Sequence, residues 1–380
     1  MAEISKDQIQ LEINPGRVSM DQNDGSLPKL TIPFFRSLSK SKENSWIVSL
    51  FVVVHLVVFA ATMIVNDCPR YSNGDCVFGA IGRLSFQTLS ENPLLGPSST
   101  TLIEMGALQR IQLMEQHQKW RLLTAPWLHA GIIHLVVNLS SVICIGIHLE
   151  QGFGTWRIGV VYTLSAIVGS LMAALFVKNN PAVVCSAALF GLLGAMLSAL
   201  IRNWKIYSDK LVALAVLSSI AIMNFAIGLL PHVNNFSNLG GLFSGILLGL
   251  VLFYNPQLGQ VPQNKRGLFE YNEKRLSFKH RLDKPVVRII SLVLFLLILA
   301  GGLVAVLNGV NANKYCPWCH HIDCVSSTKW NCNEKEISCK VTVSAGRSTV
   351  ACRNNDKYRV YPFTEISQSR LGDLCSLICS

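Results

Sequence analysis

The stretch PHVNNFSNLGGLFSGILLG, residues 231–249, decides the fold of this chain. Its apolar second half carries glycine at every fourth position: Gly241, Gly245 and Gly249. Residues four apart lie on one helix face, and small residues there let two membrane helices approach closely. The first half carries asparagine instead, at three positions: Asn234, Asn235 and Asn238. The stretch therefore predicts a membrane helix with a tight packing face and a polar group near its start.

The rest of the chain has the composition of a multi-pass membrane protein. Of its 380 residues, 50% are hydrophobic and 14% are charged, a balance outside that of ordinary soluble domains. A helix needs about 20 apolar residues to cross a bilayer. Such runs predict an all-α membrane domain at 46–310, with seven spans at about 46–66, 131–149, 157–177, 182–201, 211–231, 236–255 and 287–308. The polar residues 1–45 lack the apolar core of a cleaved signal peptide, so we expect a disordered tail followed by an uncleaved anchor.

Basic residues are unevenly distributed between the two predicted sides of the membrane. Six precede the first span, three lie at 202–210 and eight at 259–288, whereas the two short loops on the other side carry one lysine. The positive-inside rule therefore places the N-terminus in the cytosol and the C-terminus in the lumen. The net charge of +11 then needs no nucleic-acid partner. We interpret the basic loop at 255–286 as solvated and orientation-setting, with binding to anionic lipid headgroups as the alternative.

Ten of the twelve cysteines lie outside the spans, and all ten fall on the predicted luminal side. An even number of cysteines in a secretory compartment indicates disulfide bonds. The predicted disulfide cysteines are Cys68, Cys76, Cys316, Cys319, Cys324, Cys332, Cys339, Cys352, Cys375 and Cys379. Eight of them define a cysteine-rich luminal module at 311–380, whose pairing the sequence leaves open. A zinc site that includes His320 and His321 is the alternative, but the compartment favours disulfides, and we expect no metal.

Polar side chains occur at membrane depth in three of the predicted spans. His134 and Asn138 are four residues apart on one face of the second span, Ser186 lies in the fourth and Asn238 in the sixth. At about 1.5 Å per residue from the start of its span, Ser186 is expected about 7–8 Å down the helix. Each group alone is typical of helix-packing contacts. Together they predict one shared cavity that opens toward the lumen.

The fourth span repeats the spacing of small residues seen in the sixth. Its members are Ala187, Gly191 and Ala195. Two faces of this kind favour direct contact between the two helices, which would bring Ser186 close to Asn238.

Five motifs together resemble the rhomboid family of intramembrane serine proteases across about residues 46–310. They are WR at 120–121, HAGIIHLVVN at 129–138, EQGFGTWRIG at 150–159, SAALFGLLGA at 186–195 and HVNNFSNLGG at 232–241. The tail CPWCHHIDCVSSTKWNC and the loop NPLLGPSS further resemble the plant subgroup. The resemblance implies a six-helix core with an added seventh helix. It also implies cleavage of transmembrane segments by a Ser–His dyad without cofactor or metal.

Position by position, the resemblance places Ser186 at the nucleophile and His134 and Asn138 at the side chains that help to hold the oxyanion. Asn238 stands at the position of the catalytic histidine. Three further departures are Val184 and Ala187 in place of glycines around the nucleophile, and Asn234 in place of aspartate.

The function depends on whether Ser186 can still be activated. A serine hydroxyl is a weak nucleophile until a base removes its proton, and an amide does not titrate near neutral pH. A general base contributes about 10²–10⁴ in rate. His232 is a poor substitute base, because it is expected about 9 Å from Asn238 along a helix. Cys185 is a poor substitute nucleophile, because it is expected to point about 100° away from Ser186 around its helix.

We therefore expect a catalytically inactive rhomboid-like protein with no cofactor, embedded in the bilayer of a secretory membrane: Golgi, ER or plasma membrane. It would be a scaffold that binds transmembrane client proteins and influences their trafficking, stability or proteolysis. The alternative is an active intramembrane serine protease that uses Ser186 with a non-standard base. A transporter or channel is disfavoured because the spans show neither paired charges nor an inverted repeat.

Overall fold

The computed structural model describes residues 46–71, 76–204, 209–253 and 285–316, together with short stretches of the tail between 318 and 378. The predicted disordered tail at 1–45, most of the basic loop at 255–286, and Cys375 and Cys379 lie outside the described residues.

Long apolar helices form the body of the protein. In chain order they are α1 (Ile47–Asn66), α6 (Ile132–Phe153), α7 (Thr155–Phe176), α8 (Ser186–Arg202), α9 (Lys210–Ile227), α10 (Asn235–Leu252) and α11 (Pro285–Leu307). Six of these described helices are long and apolar enough to cross a membrane, and α8 is a shorter apolar helix of 17 residues. The chain is thus a multi-pass helical membrane protein, as its composition predicts.

Short helices fill the long connection between α1 and α6. They are α2 (Cys68–Tyr71), α3 (Ser99–Glu104), α4 (Arg110–Met114) and α5 (Arg121–Thr124), with 3-10 turns at Gly79–Leu84 and Ala125–Trp127. Arg121 holds this connection together, since its guanidinium donates to the backbone carbonyls of Ile103, at 2.5 Å, and Ala107, at 2.9 Å. The WR motif therefore has a structural role in this loop.

A buried carboxylate fixes the start of α1. Glu150, near the end of α6, accepts hydrogen bonds from the backbone N–H groups of Ile47, at 3.0 Å, and Val48, at 3.2 Å. These N–H groups have no partner within their own helix, so a carboxylate there satisfies them and also interacts favourably with the helix dipole.

The predicted start of the fourth span at residue 182 is wrong, because α8 begins only at Ser186. Ala182 and Val183 are extended and form isolated bridges with Leu108 and Val233. Ser186 is therefore the first residue of its helix and does not lie 7–8 Å down it. Apolar extended residues and apolar helical residues have the same hydropathy, which explains the error.

Other span boundaries differ by a few residues from the prediction. The second span continues to Phe153, where Gly154 with φ of 89° ends it, and the fifth ends at Ile227 rather than at 231. His232 lies before α10, with φ of 69°, so its predicted helical spacing from Asn238 is also wrong.

Helices α8 and α10 are in direct contact through small residues. A Cβ atom on Gly241 would overlap the carbonyl oxygen of Ala187, and one on Gly245 would overlap that of Gly191. A Cβ on Gly249 would lie 2.8 Å from the Cα of Ala195. The close approach of these two backbones therefore requires glycine on α10, and it positions the starts of both helices side by side.

The tail after α11 is joined by disulfides and carries a small sheet. Cys316 bonds Cys319, Cys324 bonds Cys332, and in the first loop Cys68 bonds Cys76. Cys339 and Cys352 each take part in a disulfide as well. Strands β1 (Cys339–Ser344), β2 (Arg347–Cys352) and β3 (Tyr358–Tyr361) form an antiparallel sheet in the order β1-β2-β3. These bonds use the cysteines that the alternative zinc site would need.

The tail, the first loop and the turns before α8 and α10 lie on one side of the helical body, which we call the tail side. The backbone N–H of Val325 donates to the carbonyl of Leu229 at 2.9 Å, and the Asn180 amide donates to the carbonyl of Cys332 at 3.3 Å. The polar residues singled out in the sequence lie beneath this surface.

Candidate site between the starts of α8 and α10

Ser186 and Asn238 face each other across the contact between α8 and α10. The hydroxyl of Ser186 donates to the Oδ1 atom of Asn238 at 2.6 Å. Both side chains are buried. The small-residue contact between Ala187 and Gly241, one position after Ser186 and three after Asn238, holds the helices close enough for this bond.

The amide of Asn238 uses both of its polar atoms. While Oδ1 accepts from Ser186, Nδ2 donates to Oδ1 of Asn235 at 2.9 Å. An amide oxygen accepts a hydrogen bond but does not remove the proton, because it is not basic near neutral pH. The group opposite the hydroxyl of Ser186 therefore orients it without activating it.

His134 and Asn138 lie in the first two turns of α6, and both contact Cys185. Nδ2 of Asn138 donates to the sulfur at 3.5 Å, and Nε2 of His134 lies 3.7 Å from it. Cys185 is the N-cap residue of α8 and has helical φ and ψ of −60° and −30°. Its side chain contacts α6, whereas that of Ser186 contacts α10. The two predicted oxyanion residues are thus brought together around a thiol beside Ser186.

A row of histidine rings extends from this point. The rings of His134 and His129 have centroids 5.3 Å apart, and those of His129 and His55 lie 5.0 Å apart. Nε2 of His55 lies 2.7 Å from the hydroxyl of Tyr162. His129 begins the motif HAGIIHLVVN, but nothing in the sequence indicates that His55 of α1 would lie beside it, because that contact depends on how α1 packs.

The two residues that replace glycines around Ser186 are accommodated by packing. Val184 is buried in an apolar cluster with Leu108 and Ala125. The methyl group of Ala187 occupies space left by Gly169 on α7, where an added Cβ would overlap it. Both side chains are therefore fully buried in packing contacts on either side of Ser186 in the chain.

The start of α10 is closed by a residue that the sequence did not indicate. Asp323 of the tail accepts from the backbone N–H of Asn235 at 3.0 Å and from Nδ2 of Asn234 at 3.1 Å. Asn234 itself caps the helix by accepting from the N–H of Ser237 at 3.1 Å. A contact across 88 residues between two segments without shared periodicity leaves no local signal in the sequence.

His232 lines a polar cavity of about 160 Å³ on the tail side. Asp323, Glu91 and Lys178 share this cavity, whereas neither Ser186 nor Asn238 is among the described residues that line it. Burial lowers the pKa of His232, although the carbonyl groups of Glu91 and Pro181 beside its ring act in the opposite direction. The structure thus separates His232 from the hydroxyl that it would have to activate.

Comparison with known proteins agrees with this geometry. Residues 116–255 match the model of the rhomboid domain. The chain is 50% identical to inactive RHOMBOID-like protein 8 of Arabidopsis thaliana over 313 residues, which cover 82% of this chain and 89% of that protein. It is 43% identical to RHOMBOID-like protein 1 of the same plant over 336 residues, 88% of this chain and 85% of that protein. Over 221 residues, 58% of this chain and 23% of the other, it is 31% identical to inactive rhomboid protein 1 of Danio rerio. With 50% identity to one relative over most of both chains, the chain belongs to the rhomboid family.

Proposed function

We propose that this protein is an inactive rhomboid, a membrane scaffold that binds the transmembrane segments of client proteins without cleaving them. The observation that carries the proposal is the 2.6 Å hydrogen bond from Ser186 to Asn238, which pairs the nucleophile position with a group that cannot take its proton. The relative that is named inactive and shares half of its residues with this chain supports the same conclusion.

The preserved features are those that a scaffold needs. Close helix packing at Gly241 and Gly245, the carboxylate of Glu150 on α1 and the Arg121 contacts maintain the body of the protein. None of these contacts involves a reacting group. Binding a transmembrane helix requires a stable set of neighbouring helices and complementary packing, which these features provide.

The charge distribution and the disulfides support one membrane orientation. We propose that the N-terminus is cytosolic and that the tail side faces the lumen of a secretory membrane: Golgi, ER or plasma membrane. Three disulfides on the tail side support an oxidising environment there. Client binding in such a membrane would influence the trafficking, stability or proteolysis of the client.

The test uses the purified full-length chain in lipid nanodiscs with a fluorescent single-span peptide that active rhomboids cleave. We expect the peptide to bind intact, and we expect a fluorophosphonate probe to leave Ser186 unlabelled. Ser186→Ala is the matched variant, and it should bind the peptide as the unmodified chain does. Cleavage that Ser186→Ala abolishes, together with probe labelling, would overturn the proposal.

The second candidate is an active serine protease with a non-standard base. It is favoured by the 43% identity to RHOMBOID-like protein 1, whose name does not call it inactive. His134, whose Nε2 atom lies 3.7 Å from the sulfur of Cys185, is an imidazole in contact with the residue that precedes Ser186. If His134 were the base, peptide cleavage would be lost in His134→Ala and kept in His232→Ala, whereas the scaffold predicts no cleavage by either variant.

A further inference from the structure

The cysteine-rich tail does not simply follow α11, because part of it is bound back onto the helical body. We call this part the tail clamp, which comprises the described residues Ile322, Asp323, Cys324, Val325, Ser327, Trp330 and Cys332. The Cys324–Cys332 disulfide closes it into a loop. A hydrogen bond from the N–H of Ser327 to the carbonyl of Trp330, at 2.9 Å, tightens that loop further. A closed loop loses less chain entropy on docking than an open one, so it suits a role as a docking element.

The clamp contacts the ends of both α9 and α10. Val325 donates its N–H to the carbonyl of Leu229, in the turn between the two helices, at 2.9 Å. Asn235, the first residue of α10, donates from Nδ2 to the carbonyl of Ile322 at 2.9 Å and also to that of Phe225, in α9, at 3.1 Å. One side chain therefore joins α9, α10 and the clamp.

Asp323 adds a charged cap to the same point. The first N–H groups of a helix lack partners within the helix, and a carboxylate there is favoured both by the hydrogen bond and by the helix dipole. The 3.0 Å bond from the N–H of Asn235 and the 3.1 Å bond from Nδ2 of Asn234 give Asp323 this position. It is thus the clamp residue with the strongest described hold on α10.

The clamp is linked to the candidate site by consecutive hydrogen bonds. Ser186 donates to Asn238, Asn238 donates to Asn235, and Asn235 donates to the carbonyl of Ile322. Movement of the clamp away from the body would remove three acceptor atoms from the start of α10: both carboxylate oxygens of Asp323 and the carbonyl oxygen of Ile322. It would loosen the turn that carries Asn235 and Asn238.

We propose that the tail clamp is a built-in latch that closes the tail-side end of the α9–α10 pair and restrains client binding until it is released. This inference rests on the proposed function, since it describes regulation of the same client-binding body. In the docked state the clamp fixes the ends of the two helices against each other. In the released state these ends separate more readily. A client helix in the bilayer then gains access to the space between them.

The experiment compares full-length Asp323→Ala with the unmodified chain in nanodiscs, by hydrogen–deuterium exchange and by binding of the same fluorescent single-span peptide. Removing a helix cap is expected to raise exchange in the first turn of α10 about five- to thirtyfold, and peptide affinity should rise by a similar factor. Asp67→Ala is the matched control, because Asp67 also lies on the tail side but pairs with Arg83, away from the clamp. Asp323→Asn keeps an acceptor oxygen and should give an intermediate effect, and it serves as the second variant if Asp323→Ala does not fold.

The outcomes separate the latch from the proposed function. Unchanged exchange at α10 in Asp323→Ala would overturn the latch, as would faster exchange with unchanged peptide affinity. If no variant binds the peptide although Asp323→Ala speeds exchange at α10, the proposed client binding fails, and the restraint on client binding fails with it. If the unmodified chain binds the peptide and the clamp variant binds it more tightly, both proposals stand.

Discussion

Replacing Asn238 by alanine tests whether the Ser186–Asn238 pair is now a structural contact. The substitution removes the acceptor of the Ser186 hydroxyl, at 2.6 Å, and the donor to Asn235, at 2.9 Å. Two buried polar atoms then lose their partners. Hydrogen bonds between membrane helices contribute about 0.6 kcal/mol on average, with a maximum near 1.7, and an unsatisfied buried group costs about 1–3 kcal/mol. We expect Asn238→Ala to lower the free energy of unfolding by about 2–4 kcal/mol.

Ser186→Ala removes only the hydroxyl donor and leaves Asn238 with one unpaired acceptor, so we expect a loss of about 1 kcal/mol. Because the two side chains bond to each other, the double variant should be less damaging than the two losses added together. The coupling free energy is expected to be about 0.5–1.5 kcal/mol. Reversible unfolding in mixed micelles, followed by tryptophan fluorescence, measures the free energy of unfolding of the unmodified chain, the two single variants and the double variant. These four values form a double-mutant cycle.

The control cycle pairs Asn238→Ala with Ser198→Ala. Ser198 lies twelve residues along α8, about 18 Å from Ser186, and its hydroxyl donates locally to the carbonyl of Ala195. Distant sites without a shared partner are additive within about 0.3–0.5 kcal/mol. If the Ser186–Asn238 cycle is also additive, the two side chains do not stabilise each other, and the interpretation of the pair as a structural contact is refuted.

Three further predictions concern the clamp, the helix contact and the lost base. Burial raises the pKa of Asp323 from 3.8 to about 6, against smaller opposing effects of the Asn235 N–H and of Lys178. Because this pKa is higher in the docked state, protonation of Asp323 favours docking, by at most about 3 kcal/mol. The contribution is fully present below the ordinary pKa of 3.8 and is lost as the pH rises through 6. Clamp protection from exchange, corrected for intrinsic rates, should therefore be greater at pH 5 than at pH 7.5. Glu91 and His232 share the cavity, so the Asp323→Asn variant isolates the contribution of Asp323 by flattening the profile. Gly245→Ala should lower the unfolding temperature because its methyl would overlap the Gly191 carbonyl, whereas Gly301→Ala, where a Cβ meets open space, should not. Asn238→His should remain unlabelled by a fluorophosphonate probe, because Val184 and Ala187 still stand where the resemblance implies glycines near the nucleophile; labelling would show that the base alone was missing.

The number of apolar helices and the face by which α8 meets α10 could be predicted from the sequence because both depend on local periodicity. Gly241 and Gly245 fall on one helix face whatever surrounds them, and close backbone contact is what such a face permits. The start of α8 could not be predicted. Residues 182–184 are apolar but extended, held by bridges to Leu108 and Val233, which are distant in the sequence.

The candidate site could be predicted only in part from the sequence. The resemblance to rhomboids located Ser186 and Asn238, and the structure places them in contact. The contacts of Cys185 with His134 and Asn138 depend on how α6 packs beside the start of α8, which hydropathy does not describe. Asp323 was missed because a single aspartate in a cysteine-rich tail shows no pattern until the tail is docked on α10.

Asn238 stands where the resemblance implies a histidine, and an amide does not titrate near neutral pH, so the site's response to protons differs from that of a site with a base. The described hydrogen bonds run from Ser186 through Asn238 to Asn235, and each of these side chains is neutral at all ordinary pH values. The network continues to Asp323, which is its titratable member among the described residues and lies at its tail-side end. Among the described members of this network, a change of protonation is therefore confined to Asp323, at the end that the clamp forms. In a scaffold this arrangement leaves the helix contact insensitive to pH and confines any response to the segment that covers it.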